Sequence, residues 1–388
     1  MNVKTTAAML ICALSFCAPW LSAQELVKEK DIVIYSNDHF YSAFPSVVLR
    51  PDGELLLAFR RAPERRYLGE PGSNHTDPNS YLVLVRSTDN GEHWTAEPEL
   101  ILAHPFGGSQ DPCMTQLRDG TIVCSSYGWA LLRGDAAEKA PPTLRHGDFV
   151  FMGGYLMRST DGGDSWTGPI LPPSVPGSEV QNVFGEPCPA YNRGPMWEGR
   201  DGLLYWATAS QARLAPRLTE VHLMTSADGG LTWEYRCPIA QDDAVTFNET
   251  ALIQTRRGDW VAFMRTANFD DHTTVARSTD GGNSFEPWED AGFKGHPHCA
   301  TLLPDGRILL VYGYRHQPFG IRARILNEDA TNLADSEEIV LRDDGGNSDL
   351  GYPWVTPMAD GRYLVAYYFN QENGIRHIAG TILKFKDN

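Results

Sequence analysis

The chain has 388 residues, with 49 acidic side chains against 33 basic ones and a formal net charge of −16 at pH 7. This balance disfavours a nucleic-acid partner, because phosphate binding requires a basic stripe. The 36 glycines and 26 prolines indicate many turns, and a chain of this length suffices for one large all-β domain.

The first 23 residues have the pattern of a secretory signal peptide. Lys4 supplies the charged start, residues 7–18 are mostly apolar, and Leu21-Ser22-Ala23 resembles a cleavage site. The apolar run is too short to span a membrane, so no membrane insertion is expected once the leader is removed. The pattern predicts a secreted, periplasmic or cell-surface protein, with a lipid anchor on Cys17 as the lesser alternative. Residues 24–388 are expected to form a single domain.

A short motif, S-x-D-x-G-x-x-[WF], occurs four times along the chain. The copies are residues 87–94 (STDNGEHW), 159–166 (STDGGDSW), 226–233 (SADGGLTW) and 278–285 (STDGGNSF). Irregular spacing of a repeat indicates structural units with insertions between them. Each copy follows an apolar run, so it reads as a turn closed by serine and aspartate, with a glycine that permits the bend. Asp89, Asp161, Asp228 and Asp280 are therefore expected to be structural.

A second repeat consists of two apolar runs joined by a Gly-containing turn, usually Asp-Gly. It occurs six times, at residues 44–60, 111–126, 196–208, 249–265, 298–314 and 352–368. Asp-Gly between two apolar runs is a strong hairpin signal. Four of these hairpins are followed by one of the four motif copies, which predicts four strands per unit.

Six four-stranded units predict a six-bladed β-propeller. The fifth unit has only a degenerate turn motif, around residues 326–329. In the sixth, one outer strand is expected near residues 375–385, and residues 31–35 are expected to add the missing strand and close the ring.

Cysteine and metal signals are weak. Outside the leader there are five cysteines, and Cys113 and Cys124 sit on opposite arms of one predicted hairpin, so a disulfide between them is one expectation. The sequence has no C-x-x-C or H-E-x-x-H motif, and neither a metal nor a cofactor is expected.

In a propeller, the start of each first strand and the end of each second strand surround one pocket. The starts here carry Phe44, Asp111, Trp197, Glu249, His296, His298 and Tyr352, and the ends carry Arg60, Arg61, Tyr127, Trp129, Arg265, Arg315, Tyr368 and Asn370. Arginine binds carboxylates through its planar fork, and aromatic rings stack on sugars. The set predicts a site for an acidic, hydroxylated ligand. A long insertion, residues 129–148, is expected to cap it.

These features together resemble the sialidase (neuraminidase) superfamily, and the resemblance covers nearly all of the chain beyond the leader. Four landmarks of that family occur in order. They are Asp77 before the first motif strand, Glu249 with Arg265 sixteen residues later, Arg322 in the fifth unit, and Tyr352 opening the sixth. The family's F-R-I-P segment is absent, because its place reads Ala43-Phe44-Pro45. One arginine of the family's carboxylate-binding triad is therefore replaced by Ala43, and Arg60, Arg61, Arg65 and Arg66 are nearby substitutes.

The resemblance implies a retaining exo-glycosidase. Tyr352 would be the nucleophile, Glu249 its base, and Asp77 the acid to the leaving oxygen and then the base for water. Asp77 would need a raised pKa for that role, from burial or a neighbour such as Asp111. Arg265 and Arg322 would hold the substrate carboxylate, with Arg315 and Arg324 as competitors for the place of Arg322. Further substrate contacts are expected from Arg61, Asp111, His75, His298 and Arg315.

Three functions remain open at this stage. The first is a glycosidase that releases a terminal acidic sugar, with sialic acid the foremost candidate, from glycans. The second is a polysaccharide lyase, or a glycosidase for uronic or other non-sialic sugars, which accommodates Ala43 and the additional histidines. The third is a non-catalytic glycan-binding propeller, which is ranked last because Asp77, Glu249 and Tyr352 are all present.

Overall fold

The computed structural model describes residues 25–70 and 75–386, and the predicted leader lies outside them. The first strand is β1 (Leu26–Tyr35). Blade 1 contains β2 (Phe40–Leu49), β3 (Leu55–Pro63), β4 (Tyr81–Ser87) and β5 (Glu99–Leu102). Blade 2 contains β6 (Gly108–Gln116), β7 (Ile122–Leu131), the short β8 (Arg145–His146), β9 (Phe149–Ser159) and β10 (Thr167–Ile170).

The remaining blades follow in chain order. Blade 3 contains β11 (Trp197–Glu198), β12 (Leu204–Leu214), β13 (Arg217–Ser226) and β14 (Glu234–Ala240). Blade 4 contains β15 (Phe247–Gln254), β16 (Trp260–Thr266), β17 (His272–Ser278) and β18 (Glu289–Lys294). Blade 5 contains β19 (His298–Leu302), β20 (Ile308–Tyr314), β21 (Gly320–Leu326) and β22 (Glu338–Arg342). Blade 6 contains β23 (Gly351–Pro357), β24 (Tyr363–Phe369) and β25 (His377–Phe385), with β1 as its outer strand.

Each blade is antiparallel, and the six sheets confirm the predicted six-bladed β-propeller. Helix is confined, within the described residues, to a 3-10 turn at Arg65–Leu68 and a single α-helical turn, α1 (Gly134–Ala137). No helix among these residues is long and apolar enough to cross a membrane.

The ring is closed by the strand that the sequence indicated. β1 pairs antiparallel with β25, with Asp31 opposite Thr381 and Val33 opposite Ala379. The side chains of the first pair reinforce the ladder, because the Thr381 hydroxyl donates to the Asp31 carboxylate over 2.7 Å. The N-terminal strand thus completes the C-terminal blade, and the sheet edge of β25 is covered.

The four turn motifs fold alike. In the second copy, Ser159 Oγ donates to Asp161 Oδ1 over 2.7 Å and accepts the backbone N–H of Gly163 over 2.8 Å, while the Ser165 N–H donates to Asp161 over 3.0 Å. The other copies repeat these contacts around Asp89, Asp228 and Asp280. The carboxylates close turns at blade edges and lie apart from the pocket.

A bulge in the first strand of several blades directs a side chain toward the propeller axis. Phe44, Asp111 and Tyr352 have positive φ values of 60°, 33° and 51°, and each precedes a proline. The pairing of β2, β6 and β23 shifts register at these places. Non-glycine residues with positive φ are uncommon and are concentrated at functional sites.

The suggested pairing of Cys113 with Cys124 is wrong. In the register of β6 and β7, Cys113 lies opposite Ser125, and Cys124 lies opposite Met114. Successive side chains of a strand point to opposite faces, so the two sulfurs lie on opposite faces of blade 2. All five cysteines of the described region are unpaired and buried.

Candidate active site

Three side chains from two blades meet at the centre of the pocket. The Tyr352 hydroxyl donates to Glu249 Oε1 over 2.6 Å, and Arg265 donates from Nη1 to Glu249 Oε2 over 2.5 Å. The same arginine nitrogen lies 3.2 Å from the Tyr352 oxygen. Glu249 and Arg265 come from the paired strands β15 and β16 of blade 4, and Tyr352 comes from the bulge of β23. The side chains of Glu249 and Arg265 are 11% and 20% exposed, so the group is open to the pocket.

The charges of this group separate the pKa values of its members. Burial alone would raise the pKa of Glu249, but Arg265, the hydrogen bond from Tyr352 and Arg315 outweigh it and lower that pKa to about 2. Burial and the negative charge of Glu249 raise the pKa of Tyr352 above its usual range. The tyrosine is therefore a neutral hydroxyl at neutral pH, and its hydrogen-bond acceptor is an ionised carboxylate.

Arg315 supplies a second cation beside Tyr352. It lies at the end of β20, and its guanidinium is 5.1 Å from the centre of the Tyr352 ring. Its position is fixed by donation to the Leu350 carbonyl over 2.9 Å and to the Tyr368 hydroxyl over 2.8 Å. Arg265 and Arg315 thus flank the tyrosine from blades 4 and 5.

Arg322, the residue expected beside Arg265, does not reach this group. Its guanidinium donates to the carbonyls of Pro318 and Arg342, faces Glu338, and stacks on Tyr314. These partners all belong to blade 5, because Arg322 lies on its third strand, farther from the axis than the end of the second. Arg315 occupies the place expected for Arg322. Arg324 likewise binds within the blade, to Tyr312 and Ser336.

The arginine missing at position 43 has a counterpart directly across the strand pair. Ala43 lies opposite Arg60 in the register of β2 and β3. Arg60 is fully buried, with its guanidinium 5.3 Å from the Tyr41 ring and 5.6 Å from the Phe44 ring. Its nitrogens have no hydrogen-bond partner among the described residues. Burial lowers its pKa, which the charges of Asp77 and Asp111 partly offset.

Arg61, in contrast, points away from the pocket. Successive side chains on β3 alternate between its faces, and the Arg61 guanidinium lies over Phe40, 3.5 Å from the ring centre, and near Tyr35. The expected substrate contact by Arg61 is therefore replaced by a stacking contact within blade 1 and against β1.

Asp77 is buried on the loop before β4, in the fork of Arg65. Arg65 Nε donates to Asp77 Oδ2 over 2.6 Å and Nη2 to Oδ1 over 2.8 Å, and the Asn79 N–H donates to Oδ1 over 2.7 Å. Arg65 extends from the 3-10 turn that follows β3. The fork occupies both carboxylate oxygens, so proton transfer by Asp77 requires Arg65 to move.

Asp111 lies at the bulge of β6, near enough to Tyr352 for its charge to act on the tyrosine. It is fully buried and accepts the Tyr127 hydroxyl on Oδ2 over 2.6 Å. Burial and the nearby charge of Glu249 raise its pKa to about 7. The pKa of Glu249 is lowered and that of Asp111 is raised, so the two neighbouring carboxyl groups shift in opposite directions.

The histidines lie on two sides of the site. His75 packs edge-on against Phe44, and its ring centre lies 6.1 Å from that of Tyr352. His298 bonds Thr273 over 2.8 Å, and His296 faces Asp271. Burial and the neighbouring His296 lower the pKa of His298 to about 3, while burial and Arg265 lower that of His296 to about 4.

Two residues of the site were not found in the sequence. Arg193 is buried at the axis, and its Nη2 donates to the carbonyls of Pro45 and Tyr352 over 2.9 and 3.0 Å. The sequence placed the pocket residue of blade 3 at Trp197, four positions too late. Asp349, on the loop before β23, accepts the hydroxyls of Tyr41 and Tyr368 and the Arg376 guanidinium. No motif marks it.

The predicted cap, the insertion that begins at Trp129, contributes to an aromatic cluster. Trp129 packs on Tyr127, Phe149 and Phe151, and on His146 of the short β8. Tyr127 in turn holds Asp111. Within the described ranges, no group of three or more potential metal ligands is present.

The fold is thus a six-bladed propeller with a tyrosine, a glutamate and an arginine at its axis, and we compared the chain with known proteins on this basis. The BNR repeat-like domain family matches residues 145–365, more than half of the sequence. The chain belongs to this family, and its fold and relatives make it a member of the sialidase-like superfamily.

Three known proteins are similar to the chain. A protein of unknown function from Dyadobacter fermentans is 54% identical, with a TM-score of 0.90 over 93% of this chain and 99% of that one. A sialidase from Micromonospora viridifaciens is 25% identical over 91% of this chain. The match spans only 54% of that curated relative, about half its length. A Hadza microbial sialidase shares the fold, with 18% identity and a TM-score of 0.62 over 89% of this chain and 66% of that structure.

Proposed function

We propose that the protein is an exo-glycosidase that releases a terminal acidic sugar, sialic acid foremost, from glycans with retention of configuration. The observation that carries the proposal is the contact of the Tyr352 hydroxyl with Glu249 at 2.6 Å, beside two arginines. Similarity to the Micromonospora viridifaciens sialidase, a relative matched over half its length, supports the same class.

The chemistry of the substrate explains a tyrosine nucleophile. The anomeric carbon of sialic acid carries a carboxylate, which repels an anionic nucleophile. A neutral tyrosine hydroxyl avoids that repulsion, provided that a base accepts its proton as the new bond forms. Glu249 accepts the hydrogen bond that this transfer requires, and Arg265 holds the glutamate in place.

The substrate carboxylate is assigned to Arg265 and Arg315. Both guanidinium groups face the tyrosine, and charge-assisted hydrogen bonds to a carboxylate contribute more than neutral ones. Arg60 adds buried positive charge behind Phe44 in place of the arginine absent at position 43. Asp77 is assigned as the general acid that protonates the leaving oxygen. For this step the Asp77 carboxyl group must separate from the Arg65 guanidinium.

A leader-directed location outside the cytoplasmic membrane agrees with this function. Glycan chains with terminal acidic sugars are presented outside cells, and a secreted, periplasmic or surface enzyme meets them there. Fractionation of the producing cell, followed by N-terminal sequencing of the mature chain, tests this location and distinguishes cleavage after Ala23 from lipid attachment at Cys17.

The decisive experiment measures release of sialic acid from an aryl sialoside and from a sialylated mucin. The mature chain is compared with Tyr352→Phe and with Tyr363→Phe, a buried tyrosine elsewhere on blade 6. Release by the wild type and by Tyr363→Phe, with loss in Tyr352→Phe, supports the proposal. Absence of release by the wild type contradicts it.

A lyase, or a glycosidase for uronic or other non-sialic sugars, is the second candidate, and Ala43 is the observation that favours it. The family's arginine is absent at that position, so the substrate carboxylate can differ in placement from that of sialic acid. A lyase would leave an unsaturated sugar at the cleaved end, and absorbance of that product on uronic-acid polymers separates the two reactions.

A further inference from the structure

The nucleophile and its base come from two blades that are not neighbours. Glu249 belongs to β15 of blade 4 and Tyr352 to β23 of blade 6, and blade 5 lies between them. The hydrogen bond of 2.6 Å between the two side chains forms only while both strands keep their places. A contact that joins these strands at the axis therefore controls the geometry on which the proton transfer depends.

The segment 192–194, which precedes β11, is bound to the strand of the base. The Asn192 side chain pairs with the backbone of Thr250, the residue after Glu249: Nδ2 donates to the carbonyl over 2.8 Å, and Oδ1 accepts the N–H over 3.0 Å. Gly194 packs against the same carbonyl so closely that a Cβ there would lie 1.9 Å from its oxygen. All three residues of the segment are buried, so the segment is fixed to β15.

Arg193, in the middle of this segment, reaches the strand of the nucleophile. Its Nη2 donates to the Tyr352 carbonyl over 3.0 Å and to the Pro45 carbonyl over 2.9 Å, and its Nη1 donates to Cys113 Sγ over 3.3 Å. The guanidinium also lies 5.5 Å from the centre of the Tyr352 ring and 4.9 Å from that of Trp354. One side chain thus contacts blades 1, 2 and 6.

The stretches of backbone that Arg193 contacts are the three bulges with positive φ. Phe44, Asp111 and Tyr352 each combine a positive φ with a following proline, a strained conformation that persists only where its surroundings hold it. Arg193 binds the carbonyl of Tyr352 itself, the carbonyl after Phe44 and the thiol two residues after Asp111. The Tyr352 backbone therefore cannot turn without breaking a buried hydrogen bond.

The bond to the tyrosine backbone comes from a charged donor. Burial acts against the charge of Arg193, but Cys113 and Asp111 outweigh it and raise the pKa of Arg193 above its ordinary value. Hydrogen bonds from a cation are stronger than those from a neutral group. The guanidinium thus holds the bulge more firmly than a neutral amide would.

We propose that Arg193 is a positioning residue that, anchored on β15, fixes the Tyr352 hydroxyl at hydrogen-bonding distance from Glu249. The inference rests on the proposed function, because it concerns the chemistry of Tyr352. Arg193 is buried and binds backbone, whereas the substrate carboxylate is assigned to Arg265 and Arg315, which are held by contacts of their own. Loss of Arg193 is therefore expected to slow the chemical steps and to leave substrate binding intact.

The test measures kcat on an aryl sialoside together with the inhibition constant of free sialic acid, which reports binding alone. Arg193→Met loses all the donors, so kcat is expected to fall on the order of 100-fold, as for a misplacement of about 1 Å. The inhibition constant is expected to stay near the wild-type value. Arg193→Lys keeps a charged donor but not the planar fork, so its kcat is expected to lie between those of Arg193→Met and the wild type.

Arg324→Met is the matched control. Arg324 is likewise a buried arginine, but its bonds to Tyr312 and Ser336 lie within blade 5. Both methionine variants are expected to have a lower Tm than the wild type. Only Arg193→Met is expected to lose kcat when each enzyme is assayed well below its Tm.

Three results would overturn the role of Arg193 and leave the proposed function intact. One is a wild-type kcat in Arg193→Met or, should that variant not fold, in Arg193→Lys. Another is an equal fall of kcat in Arg193→Met and Arg324→Met, which indicates a general loss of folded structure. The third is weaker binding of sialic acid by Arg193→Met at an unchanged kcat, which makes Arg193 a binding contact. A wild type that turns over no sialoside overturns the proposed function itself, and the inference with it.

Discussion

At the scale of single residues, the position of a guanidinium along its strand decides whether it meets the substrate. Arg315 ends the second strand of blade 5 and reaches Tyr352, whereas Arg322 begins the third strand and binds carbonyl groups of its own blade. The two residues are seven positions apart and have the same chemistry, so they form a matched pair.

Replacement of this pair by lysine is expected to separate binding from stability. Arg315→Lys loses a planar fork for the substrate carboxylate, so its kcat/KM is expected to fall about 10- to 100-fold, the equivalent of one charge-assisted hydrogen bond. Arg322→Lys is expected to lower the Tm and to leave kcat/KM of the folded enzyme near the wild-type value. Equal losses of kcat/KM in the two variants would contradict the assignment of Arg315 to the carboxylate.

The raised pKa of Asp111 makes the free energy of unfolding depend on pH. Its pKa is raised to about 7 in the folded protein, so between pH 4 and 7 the folded state holds a proton that the unfolded chain has released. The free energy of unfolding therefore falls as pH rises through this window, by at most about 1.4 kcal/mol per pH unit.

Asp111→Asn removes this dependence, because an amide does not titrate. Its free energy of unfolding relative to the wild type is expected to increase from pH 5 to pH 8, as measured by urea denaturation at each pH. Tyr127→Phe, which removes the hydrogen bond to the carboxylate but not the carboxyl group, serves as a control. A difference between Asp111→Asn and wild type that stays constant with pH would show that Asp111 titrates normally.

The sequence predicted which kinds of residue form the site better than it predicted where each side chain lies. The spacing of Glu249 and Arg265 fixes both on one strand pair, and the structure brings them together with Tyr352. Arg193 and Asp349 were not found, because they act through contacts between blades that no local pattern records. Arg61 was assigned to the pocket although alternation along β3 directs Arg60 inward. The residues of β3 that precede Arg60 are apolar on both faces, so the sequence shows no alternation there.

At the scale of elements, the turn motif closes a hairpin turn through side-chain hydrogen bonds. In the second copy, the Asp161 carboxylate accepts from the Ser159 hydroxyl and from the side chain and the N–H of Ser165. The Ser165 side chain and N–H, with the Ser159 hydroxyl, lower the pKa of Asp161 to about 2. The motif was predictable from sequence because all of its bonds lie within eight residues, and the same holds for the Asp-Gly hairpin turns.

Asp161→Ala and Asp164→Ala provide a comparison within a single turn. Asp164 lies three residues away, 73% exposed, and its contact is with Arg86. Only Asp161→Ala is expected to lower the Tm clearly at pH 7. Because the pKa of Asp161 is depressed, its contribution is present above about pH 4 and is lost as pH falls toward 2, so the two variants are expected to converge in acid. Thermal melts between pH 2 and 7 measure this, and a Tm for Asp161→Ala equal to that of Asp164→Ala at pH 7 would contradict it.

At the scale of the whole molecule, the ring is held shut by the pairing of β1 with β25, which joins segments about 350 residues apart in sequence. The order of the blades, the closing strand and the weak fifth turn were all predictable, because each unit repeats the same pattern. The insertion between β7 and β9 was not predictable in detail, because its aromatic cluster depends on contacts between Trp129 and residues that follow the insertion.

A disulfide across the closure should therefore stabilise the entire ring. Val33 and Ala379 lie opposite each other on β1 and β25, and replacement of both by cysteine would link the two strands. Loop-closure entropy for so long a segment sets an upper limit of about 6 kcal/mol on the gain in the free energy of unfolding. The oxidised Val33→Cys/Ala379→Cys protein is expected to melt at a higher temperature than its reduced form.

The single variant Val33→Cys should show no such dependence on reductant, because the five cysteines of the described region are buried and unpaired. Equal melting temperatures for the oxidised and the reduced double variant would mean that separation of β1 from β25 does not limit unfolding. The ring would then open first between other blades.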